Sequence, residues 1–493
     1  MAVYCWGFGK LGQLGQGKEE SSEVPLKVDI SANGDRPKSV STGGLYSTIL
    51  SQKGDLYVCG SGKYGRLGTG SEENSLKPQK IELARDTKVA QVSAGSWHGC
   101  ALTFMGRLYS WGFNAKHSVL GRDCDRKASL SPGLVLSSIG LNIKMVSCGH
   151  NFTLLVTREG ELYSWGCGRY GVLGQGDEDC VAEPRRVESL RWVSVARVDA
   201  GYAHCAAVTA DGRLYTFGRG RDGALGKWNW SFGSDGSNKL EPTWVRGTTA
   251  GPSTGGNDSS DHQLLAEHFV DVSCSVGEHR GHTLALTING DVYAWGSNYR
   301  GKLGLGDQKD RVRPCRIPRS FFGGLRVTAV SAGGIHSGAI TEDGRVWTWG
   351  CGKDGRLGHS PPSTLKPSGS ARISDRTVTP SPTGQRSRSS LTPPSSSPSS
   401  SLFSTYYSSR PKQVESLERA RANGRVARQI SCSHYHTAVL FDYPDREQQH
   451  SAANSGRSSG GVDTLRILEE EVESPPSTSD CPSAGSSLSG RSS

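Results

Sequence analysis

The sequence predicts an all-β fold, a seven-bladed β-propeller with a disordered insertion and a disordered tail. Three observations lead to this prediction: a high glycine content, a unit that recurs seven times, and a first strand that completes the last unit. The 493 residues include 65 Gly, while only 34% are hydrophobic. This composition indicates a turn-rich protein of short strands rather than a helical one.

The repeated unit is roughly 50 residues long and has four landmarks. A strand reading Val-Ser-x-Gly or similar comes first, then a Trp-Gly pair, then a Gly-rich turn ending in Leu-Gly, then Pro-x-x-Val or Pro-x-x-Ile. The first landmark occurs at Val40, Val92, Val146, Val198, Val272, Val330 and Ile430. Short apolar runs bounded by Gly or Asp-Gly are typical of strands joined by tight turns. Three or four such strands cannot bury their own faces, so the units are expected to pack radially in a ring.

The two ends of the repeat array complement each other. The seventh unit, from Ile430 to Pro444, stops before its Trp-Gly strand, whereas Ala2–Gly7 is such a strand with nothing of the unit before it. We therefore expect the N-terminal strand to pair with the C-terminal repeat in one blade, which removes two open sheet edges. The predicted propeller spans residues 1–443, and we expect a monomer.

The fullest form of the unit, Val330–Gly358, contains Gly-x-x-His, an aromatic strand ending in Trp-Gly, and Gly-x-x-Gly-x-Leu-Gly. This pattern resembles the repeats of the regulator of chromosome condensation family over roughly residues 1–443. The resemblance implies a regulatory propeller that binds protein partners on one face. In the founding member of the family, loops on one face grip a small GTPase of the Ran type, and a β-wedge helps to expel the nucleotide. Guanine nucleotide exchange is therefore the most concrete activity that the resemblance implies.

Departures from the regular unit supply the candidate partner contacts. In the third Trp-Gly stretch, residues 114–117 replace the usual Gly-x-x-Gly turn and make at most a minimal wedge. The enlarged loops at 227–268 carry aromatic side chains that could form interface hot spots or fold back over a neighbouring blade. The candidate contacts are Asn114, Lys116, His117, Trp228, Trp230 and Phe232.

Two segments are predicted to be disordered because they are rich in Ser and poor in aliphatic residues. They are the Ser/Pro/Arg-rich insertion 360–409 and the tail 444–493. The insertion contains Ser-Pro and Thr-Pro sites that suit a proline-directed kinase, and phosphates would reverse its positive charge. The candidate phosphorylation sites are Ser360, Thr379, Ser381, Thr392 and Ser397. The alternative is an inert, tolerated loop.

The motifs that resemble chemical sites are better explained by the repeat, so we predict no catalytic residue, cofactor or metal. The GxGxxG-like stretch Gly60–Gly65 leads toward a proline rather than into a helical pattern, which favours β-turn glycines. The repeat histidines are His98, His204, His282, His336 and His436. Since Tyr46 and Phe152 occupy the same position in two units, we expect a packing role with an optional hydrogen bond. Cys432, His434 and His436 alternate as on one strand, but a zinc site needs a fourth ligand.

Composition narrows the location and the partners. The 13 Cys include no CxxC pair, and no apolar run is long enough to span a bilayer, so we expect reduced thiols and no membrane contact. With no secretory signal pattern either, a cytoplasmic or nuclear location follows. The net charge of +10 permits nucleic acid or chromatin, although no compact Lys/Arg stripe is visible.

The sequence leaves two function classes open. The first is a regulator of a small GTPase with exchange activity. The alternative is a non-catalytic scaffold or chromatin-associated adaptor that is regulated by loop phosphorylation. Light sensing, which occurs in a plant photoreceptor with the same repeat, is disfavoured because only Trp97 lies near the position of its sensing tryptophans.

Overall fold

Seven antiparallel four-stranded sheets are arranged as the blades of a propeller. The computed structural model describes residues 1–30, 35–114, 118–124, 127–226, 236–246, 267–278, 280–359 and 406–442. These residues belong to one unit, Met1–Pro444, while the second unit, Asp445–Ser493, lies outside the described residues. No helix within the described ranges has the length and apolar character that a membrane crossing requires. The predicted fold class is confirmed.

The strands alternate short apolar runs with tight turns, as the repeat predicts. In chain order they are β1 Ala2–Gly7, β2 Ser22–Val28, β3 Pro37–Thr42, β4 Tyr46–Ser51, β5 Leu56–Gly60, β6 Ser75–Ile81, β7 Val89–Ala94, β8 His98–Thr103, β9 Leu108–Phe113, β10 Ala128–Leu134, β11 Ile143–Cys148, β12 Phe152–Thr157, β13 Leu162–Gly166, β14 Val181–Arg186, β15 Val195–Ala200, β16 His204–Thr209, β17 Leu214–Gly218, β18 Lys239–Trp244, β19 Phe269–Cys274, β20 His282–Thr287, β21 Val292–Gly296, β22 Arg311–Arg316, β23 Val327–Ala332, β24 His336–Thr341, β25 Val346–Cys351, β26 Tyr407–Gln413, β27 Val426–Cys432 and β28 His436–Asp442.

Helical structure in the described residues is confined to short pieces. The one α-helix, α1, is Glu418–Ala422, in the connection between blades 6 and 7. The 3₁₀ turns are Lys63–Gly65, Leu136–Ser138, Arg169–Gly171, Glu188–Leu190, Arg221–Gly223, Tyr299–Gly301, Arg319–Phe322, Lys353–Gly355 and Glu415–Leu417. Several of them form the tips of the Gly-rich turns.

Each blade runs from an inner first strand to an outer fourth strand. Blade 1 is β3–β6, blades 2 to 6 follow in chain order, and blade 7 combines β27 and β28 with β1 and β2. First strands of neighbouring blades contact one another around the axis. We call one face of the propeller the turn face. It carries the loops between the first and second strands of each blade and the turns between the third and fourth strands. We call the opposite face the hairpin face. It carries the hairpins between the second and third strands and the connections between blades.

The ring closes through the strand that begins the chain. Strand β1 pairs antiparallel with β28 from Ala2 opposite Phe441 to Gly7 opposite His436, and β2 pairs on its other side. The indole Nε1 of Trp6 also donates a hydrogen bond of 3.0 Å to the carbonyl of Arg356 in blade 6. The predicted closure, with N- and C-terminal strands in one blade, is therefore confirmed.

Two predicted boundaries need correction. The enlarged-loop region 227–268 contains strand β18, because Pro242 and its neighbours form the outer strand of blade 4 as in every other repeat. The region is thus two separate connections, one on each face. The insertion 360–409 overlaps β26, which begins at Tyr407 and pairs with Cys351 of β25. The other residues of the insertion, and the tail, lie outside the described residues.

A ring of hydrogen bonds surrounds the propeller axis. In each blade a side-chain oxygen of the inner strand accepts the backbone N–H of the next inner strand at 2.7–3.1 Å. The acceptors, in order around the ring, are Ser41, Ser93, Ser147, Asp199, Ser273, Ser331 and Ser431. In blade 4 the acceptor is Asp199 instead of a serine. Burial raises the pKa of this carboxyl to about 6.

The variant Asp199→Ser gives blade 4 the serine that the other six blades have. We expect it to be more stable than the unaltered protein at pH 7. The folded state holds the Asp199 proton more tightly than the unfolded chain, so its contribution to stability is present at low pH and lost as the pH rises through about 6. We expect the variant to gain about 1–2 kcal/mol at pH 7, after a discount for the partial exposure of Asp199, and about half of that at pH 5. Urea unfolding at the two pH values measures both gains.

The reverse change, Ser331→Asp, places a carboxyl at the same ring position of blade 6 and serves as the control. It should lower the free energy of unfolding at pH 7. A loss of stability at pH 7 on Asp199→Ser would show that the carboxylate is better satisfied by its hydrogen bonds to Cys274 and Ser147 than its raised pKa implies.

Candidate functional site

Buried polar side chains fasten each blade to the next, and this rigid frame positions the turn face. Between blades 5 and 6, His282 Nε2 lies 2.9 Å from Ser337 Oγ, which donates to the carbonyl of Lys302 at 2.8 Å. The indole of Trp349 donates to the same carbonyl at 2.9 Å. We call this arrangement of histidine, hydroxyl, turn carbonyl and tryptophan the blade latch. Because the hydroxyl gives its only proton to the carbonyl, the histidine Nε2 must carry a proton.

The same blade latch recurs around the ring with local substitutions. His204, His336 and His436 meet the hydroxyls of Thr283, Thr437 and Ser47, which donate to carbonyls of the preceding turns. Burial lowers the pKa of His204 and His436 to about 3. The predicted packing role of the repeat histidines, with a hydrogen bond, is confirmed.

A cavity of about 220 Å³ opens on the turn face where the first-to-second-strand loops converge. Aromatic side chains line one side of it: the Trp97 and His150 ring centroids are 6.3 Å apart, and His150 and Tyr202 are 4.1 Å apart. Across the opening lie His434 and Tyr435 of blade 7. Sequence analysis missed most of these residues, since they occupy variable positions just before the repeat histidine. Only Trp97 and His434 were singled out, and neither was singled out as a cavity residue.

Buried cations fix the walls of this cavity. The Arg66 guanidinium lies 4.1 Å from the Trp97 ring centroid and donates to the Ser96 carbonyl at 3.3 Å. Arg356 donates in the same way to the His434 carbonyl at 2.8 Å. Burial lowers the pKa of Arg66 to about 10. Each cation extends from the turn of one blade to the loop of the next, so the lining residues are held in place before a partner arrives.

Most of the turn tips carry a basic side chain on the turn face. The first residue of each described 3₁₀ tip, and its counterpart in blade 7, is exposed on the turn face. These residues are Lys10, Lys63, Arg169, Arg221, Tyr299 and Lys353. Acidic residues such as Glu72 and Asp179 lie on the outer arm of the same turns. The turn face therefore presents an aromatic cavity, with Glu278 in its lining, inside a basic ring of tip residues, two of which are directly followed by Asp222 and Asp354.

The tips also hold side chains in an unusual backbone conformation. Tyr64, Tyr170, Asp222, Arg300 and Asp354 have φ between 58° and 69°, the left-handed region that favours glycine. The five residues occupy equivalent positions, so this conformation belongs to the repeated turn itself. The Gly60–Gly65 motif forms part of such a turn: Gly60 and Gly65 have φ of 119° and 69°, and a strand follows.

Asn114 is the one candidate partner contact that lies in the described residues. Its side chain is 5% exposed. Its amide oxygen accepts the N–H of Leu120 at 3.1 Å, and its amide nitrogen donates to Cys124 at 3.4 Å, so it braces the loop from within. Direct contact of Asn114 with a partner stays a prediction. Lys116, His117, Trp228, Trp230, Phe232 and the five phosphorylation candidates lie outside the described residues.

The interpretation of Cys432, His434 and His436 as alternating on one strand is wrong. β27 ends at Cys432, β28 begins at His436, and His434 lies in the loop between them. Within the described ranges, His98, Cys100 and Cys148 are the one group whose ligand atoms approach closely enough for a metal. All three are buried in the blade 2–3 contact, where His98 Nε2 is already engaged by Thr153 Oγ1 at 2.9 Å, and the group supplies only three of the ligands that a structural zinc site needs.

The hairpin face differs from the turn face in character. Several large apolar side chains are exposed there, among them Met105 at 83% and Trp192 at 89%. The others on this face are Phe104, Leu136, Ile139 and Ile288. Exposed apolar side chains of this size are typical of surfaces that contact other molecules. The propeller thus offers two chemically distinct faces.

A propeller of seven such blades, closed through its first strand and presenting Gly-rich turns on one face, defines a class of repeat protein. This chain belongs to the RCC1-like domain family: the family model matches residues 2–324. Models of the regulator of chromosome condensation (RCC1) repeat match residues 327–356 and 343–380. The predicted family is therefore confirmed.

Individual relatives agree with this assignment. The ultraviolet-B receptor UVR8 of Arabidopsis thaliana is 34% identical over 357 residues, which cover 72% of this chain and 74% of that protein. The crystal structure of human WBSCR16 has a TM-score of 0.68 at 21% identity, and covers 90% of this chain and 99% of that one. Prp20p of Saccharomyces cerevisiae has a TM-score of 0.66 at 20% identity, with 92% and 94% covered. At these identities the two structures show a common fold.

Proposed function

We propose that this chain is a regulatory protein-binding propeller whose turn face receives the partner, and that the partner is a small GTPase of the Ran type. The observation that carries the proposal is the preformed cavity with aromatic walls inside a ring of basic tips. Aromatic side chains and arginine are the residues that dominate interface energetics, and a positive ring accelerates association with an acidic partner.

Relatives lend support at the level of partner class. The Prp20p structure was described together with its binding to Gsp1p and histones, and UVR8 is named as a receptor. Exchange by such a propeller requires no bond-making residues, because a partner that binds the nucleotide-free GTPase more tightly than the loaded form shifts the equilibrium toward release.

Release of a fluorescent GDP analogue from purified Ran, with and without the full chain, tests the proposal. The double variant Lys63→Glu/Arg169→Glu reverses two charges of the basic ring and should reduce acceleration at least tenfold. The variant Lys116→Ala/His117→Ala removes the candidate wedge side chains but keeps the brace of Asn114, and should lower exchange while binding persists.

The matched control is Lys53→Glu/Arg107→Glu, which makes the same charge change on exposed residues of the hairpin face. This control should exchange nucleotide at the rate of the unaltered chain. Equal loss in both double variants would mean that net charge, rather than the turn face, is responsible. No acceleration and no binding with Ran would exclude the GTPase proposal.

A non-catalytic scaffold or chromatin-associated adaptor is the second candidate. The exposed apolar residues of the hairpin face favour it, because a propeller with two different faces can hold two partners at once. Trp192→Ser should then abolish capture of one partner and leave partners of the turn face unaffected. In nucleosome-binding assays, salt-insensitive or undetectable association would rule out the chromatin form of this candidate.

A further inference from the structure

Two cysteines face each other at the neck of the turn in blade 3. Cys167 directly follows β13, and Cys180 directly precedes β14. The last paired residues of these strands are Gly166 and Val181, so the cysteines form the next cross-strand position. The Cys180 thiol is close enough to the Cys167 thiol to contribute to the raised pKa of Cys167. Cys180 is exposed and Cys167 is half-buried, so solutes can reach the pair.

The backbone at this neck brings the two cysteines close together. The N–H of Cys167 points away from Cys180, to the carbonyl of Asn151 on the other side at 2.9 Å. In an antiparallel ribbon this makes Cys167 and Cys180 a non-hydrogen-bonded pair, in which Cα atoms are closer and side chains lie side by side. A Cβ placed on Gly168 would come within 1.8 Å of the Asp179 carbonyl oxygen, so the two arms touch just beyond the pair. Such separations fall within the range that a disulfide spans.

Blade 3 differs at this position from three other blades. In blades 7, 1 and 5 the residues equivalent to Cys180 are polar, and the side chains of Ser21, Asn74 and Asp310 accept a backbone N–H from the opposite arm. That hydrogen bond fastens the neck of the turn. In blades 2, 4 and 6 the equivalent residues are Ala128, Asn238 and Tyr407. Blade 3 has a cysteine instead, directly opposite a second cysteine. The pair therefore occupies the place of a fastening contact.

We propose that Cys167 and Cys180 form a reversible disulfide, driven by hydrogen peroxide, that fastens the neck of the turn presenting Arg169 and Tyr170. The sulfur of the exposed Cys180 attacks a peroxide oxygen, the O–O bond breaks, and a sulfenic acid and hydroxide form. The Cys167 sulfur then attacks the Cys180 sulfur, the S–S bond forms, and the S–O bond breaks. Two thiols and one peroxide yield one disulfide and two water molecules. Thiol exchange with glutathione reverses the bond.

The surroundings of the two cysteines indicate which thiol reacts with peroxide and which one then forms the disulfide. Burial raises the pKa of the Cys167 thiol, so this residue is suited to the second, resolving step. Oxidation closes a loop whose tip carries one of the basic residues around the cavity, and whose Tyr170 and Cys167 line a smaller cavity with His150 and Tyr202. The redox state of the pair therefore controls how rigidly blade 3 presents part of the turn face.

Peptide mapping of the full chain tests the proposal. The reduced protein is treated with hydrogen peroxide, remaining thiols are blocked with N-ethylmaleimide, and the chain is cut with trypsin. Cleavage after Arg158, Arg169 and Arg185 places the two cysteines in separate peptides, 159–169 and 170–185. We expect these peptides to be recovered as one disulfide-linked species that dithiothreitol separates. Hydrogen exchange in residues 168–179 should slow several-fold in the oxidised chain.

Matched variants separate this pair from general thiol oxidation. Cys180→Ser should abolish the linked species and the change in hydrogen exchange. Cys351 occupies the position of Cys167 in blade 6 but faces Tyr407, so Cys351→Ser should alter neither result. Recovery of both peptides as blocked thiols, as sulfinic or sulfonic acids, or linked only to other cysteines would overturn the proposal.

Discussion

Removal of Met1–Phe8 is expected to abolish the cooperative fold of the propeller. The deletion takes away β1, whose Val3, Cys5 and Trp6 are essentially unexposed, and leaves β28 with an open edge and β2 without its partner. Loss of a buried Trp alone costs about 3–5 kcal/mol. Adding the lost ladder brings the total close to the 5–15 kcal/mol that stabilises a typical domain. Thermal unfolding and size-exclusion chromatography should show a broad transition and aggregation.

A permuted chain provides the matched control. It begins at Gly9 and carries Met1–Phe8 after Asp442 through a short Asp-Gly turn, which gives blade 7 the connectivity of the other blades. The permuted chain should regain a sharp transition near that of the unaltered protein. If the simple deletion melts like the full chain, the first strand contributes little and the ring is held by its remaining contacts.

Mild acid is expected to unfold the protein steeply, between about pH 6 and pH 4.5. Burial holds the pKa of His204 and His436 at about 3, and that of His282 and His336 well below its ordinary value. These histidines are neutral in the fold but take up protons in the unfolded chain, so their contribution to stability is present above pH 6.5 and lost as the pH falls. Each such group removes about 1.4 kcal/mol per pH unit, and four together about 5 kcal/mol. Urea unfolding at stepwise lower pH measures the slope.

The cause of this sensitivity is local. The hydroxyl in each blade latch already accepts the Nε2 proton, and the Nδ1 atoms of His282 and His336 have no hydrogen-bond partner. A second proton would therefore add a buried, unpaired charge. Asp199 and Asp271 act in the opposite sense, since burial raises the pKa of both carboxyls and favours the folded state at lower pH, but they are two groups against four.

Blade 3 supplies the control for the acid prediction. There Phe152 replaces the latch histidine and Cys205 replaces the hydroxyl, with its sulfur 3.2 Å from the Val172 carbonyl. The double variant His204→Phe/Thr283→Cys copies this pair into the contact between blades 4 and 5. It should reduce the number of protons taken up on unfolding by about one. A flat stability profile from pH 7.5 to pH 5 in the unaltered protein would contradict the prediction.

The frame of the molecule could be predicted from sequence because it rests on invariant positions of an internal repeat. Seven recurrences of a strand ending in Trp-Gly or a close variant indicated the number of blades, and substitution of His by Tyr46 and Phe152 indicated packing rather than catalysis. The short helix α1 was not predicted, since it lies in a connection that the repeat does not constrain.

The cavity was harder to predict because its lining residues occupy positions that vary from one repeat to the next. Trp97, His150, Tyr202 and Tyr435 lie in one or the other of the two positions before the latch residue, and among these residues only His150 has an identical counterpart in another blade, His434. A search for invariant residues passes over such positions. The signal that could have found them is their shared place in the unit: they lie in the loops between the first and second strands, and these loops of six blades line the cavity.

The pairing of Ala2 with Phe441 has a practical consequence for experiments on this protein. Both residues lie at the edge of the hairpin face, because β1 runs from there toward its turn and β28 runs back. A protein attached to a biosensor chip or a bead through Met1 is therefore held by its hairpin face. Immobilised molecules would all display the turn face to the flowing solution. Analytes that bind the hairpin face would then register as non-binders.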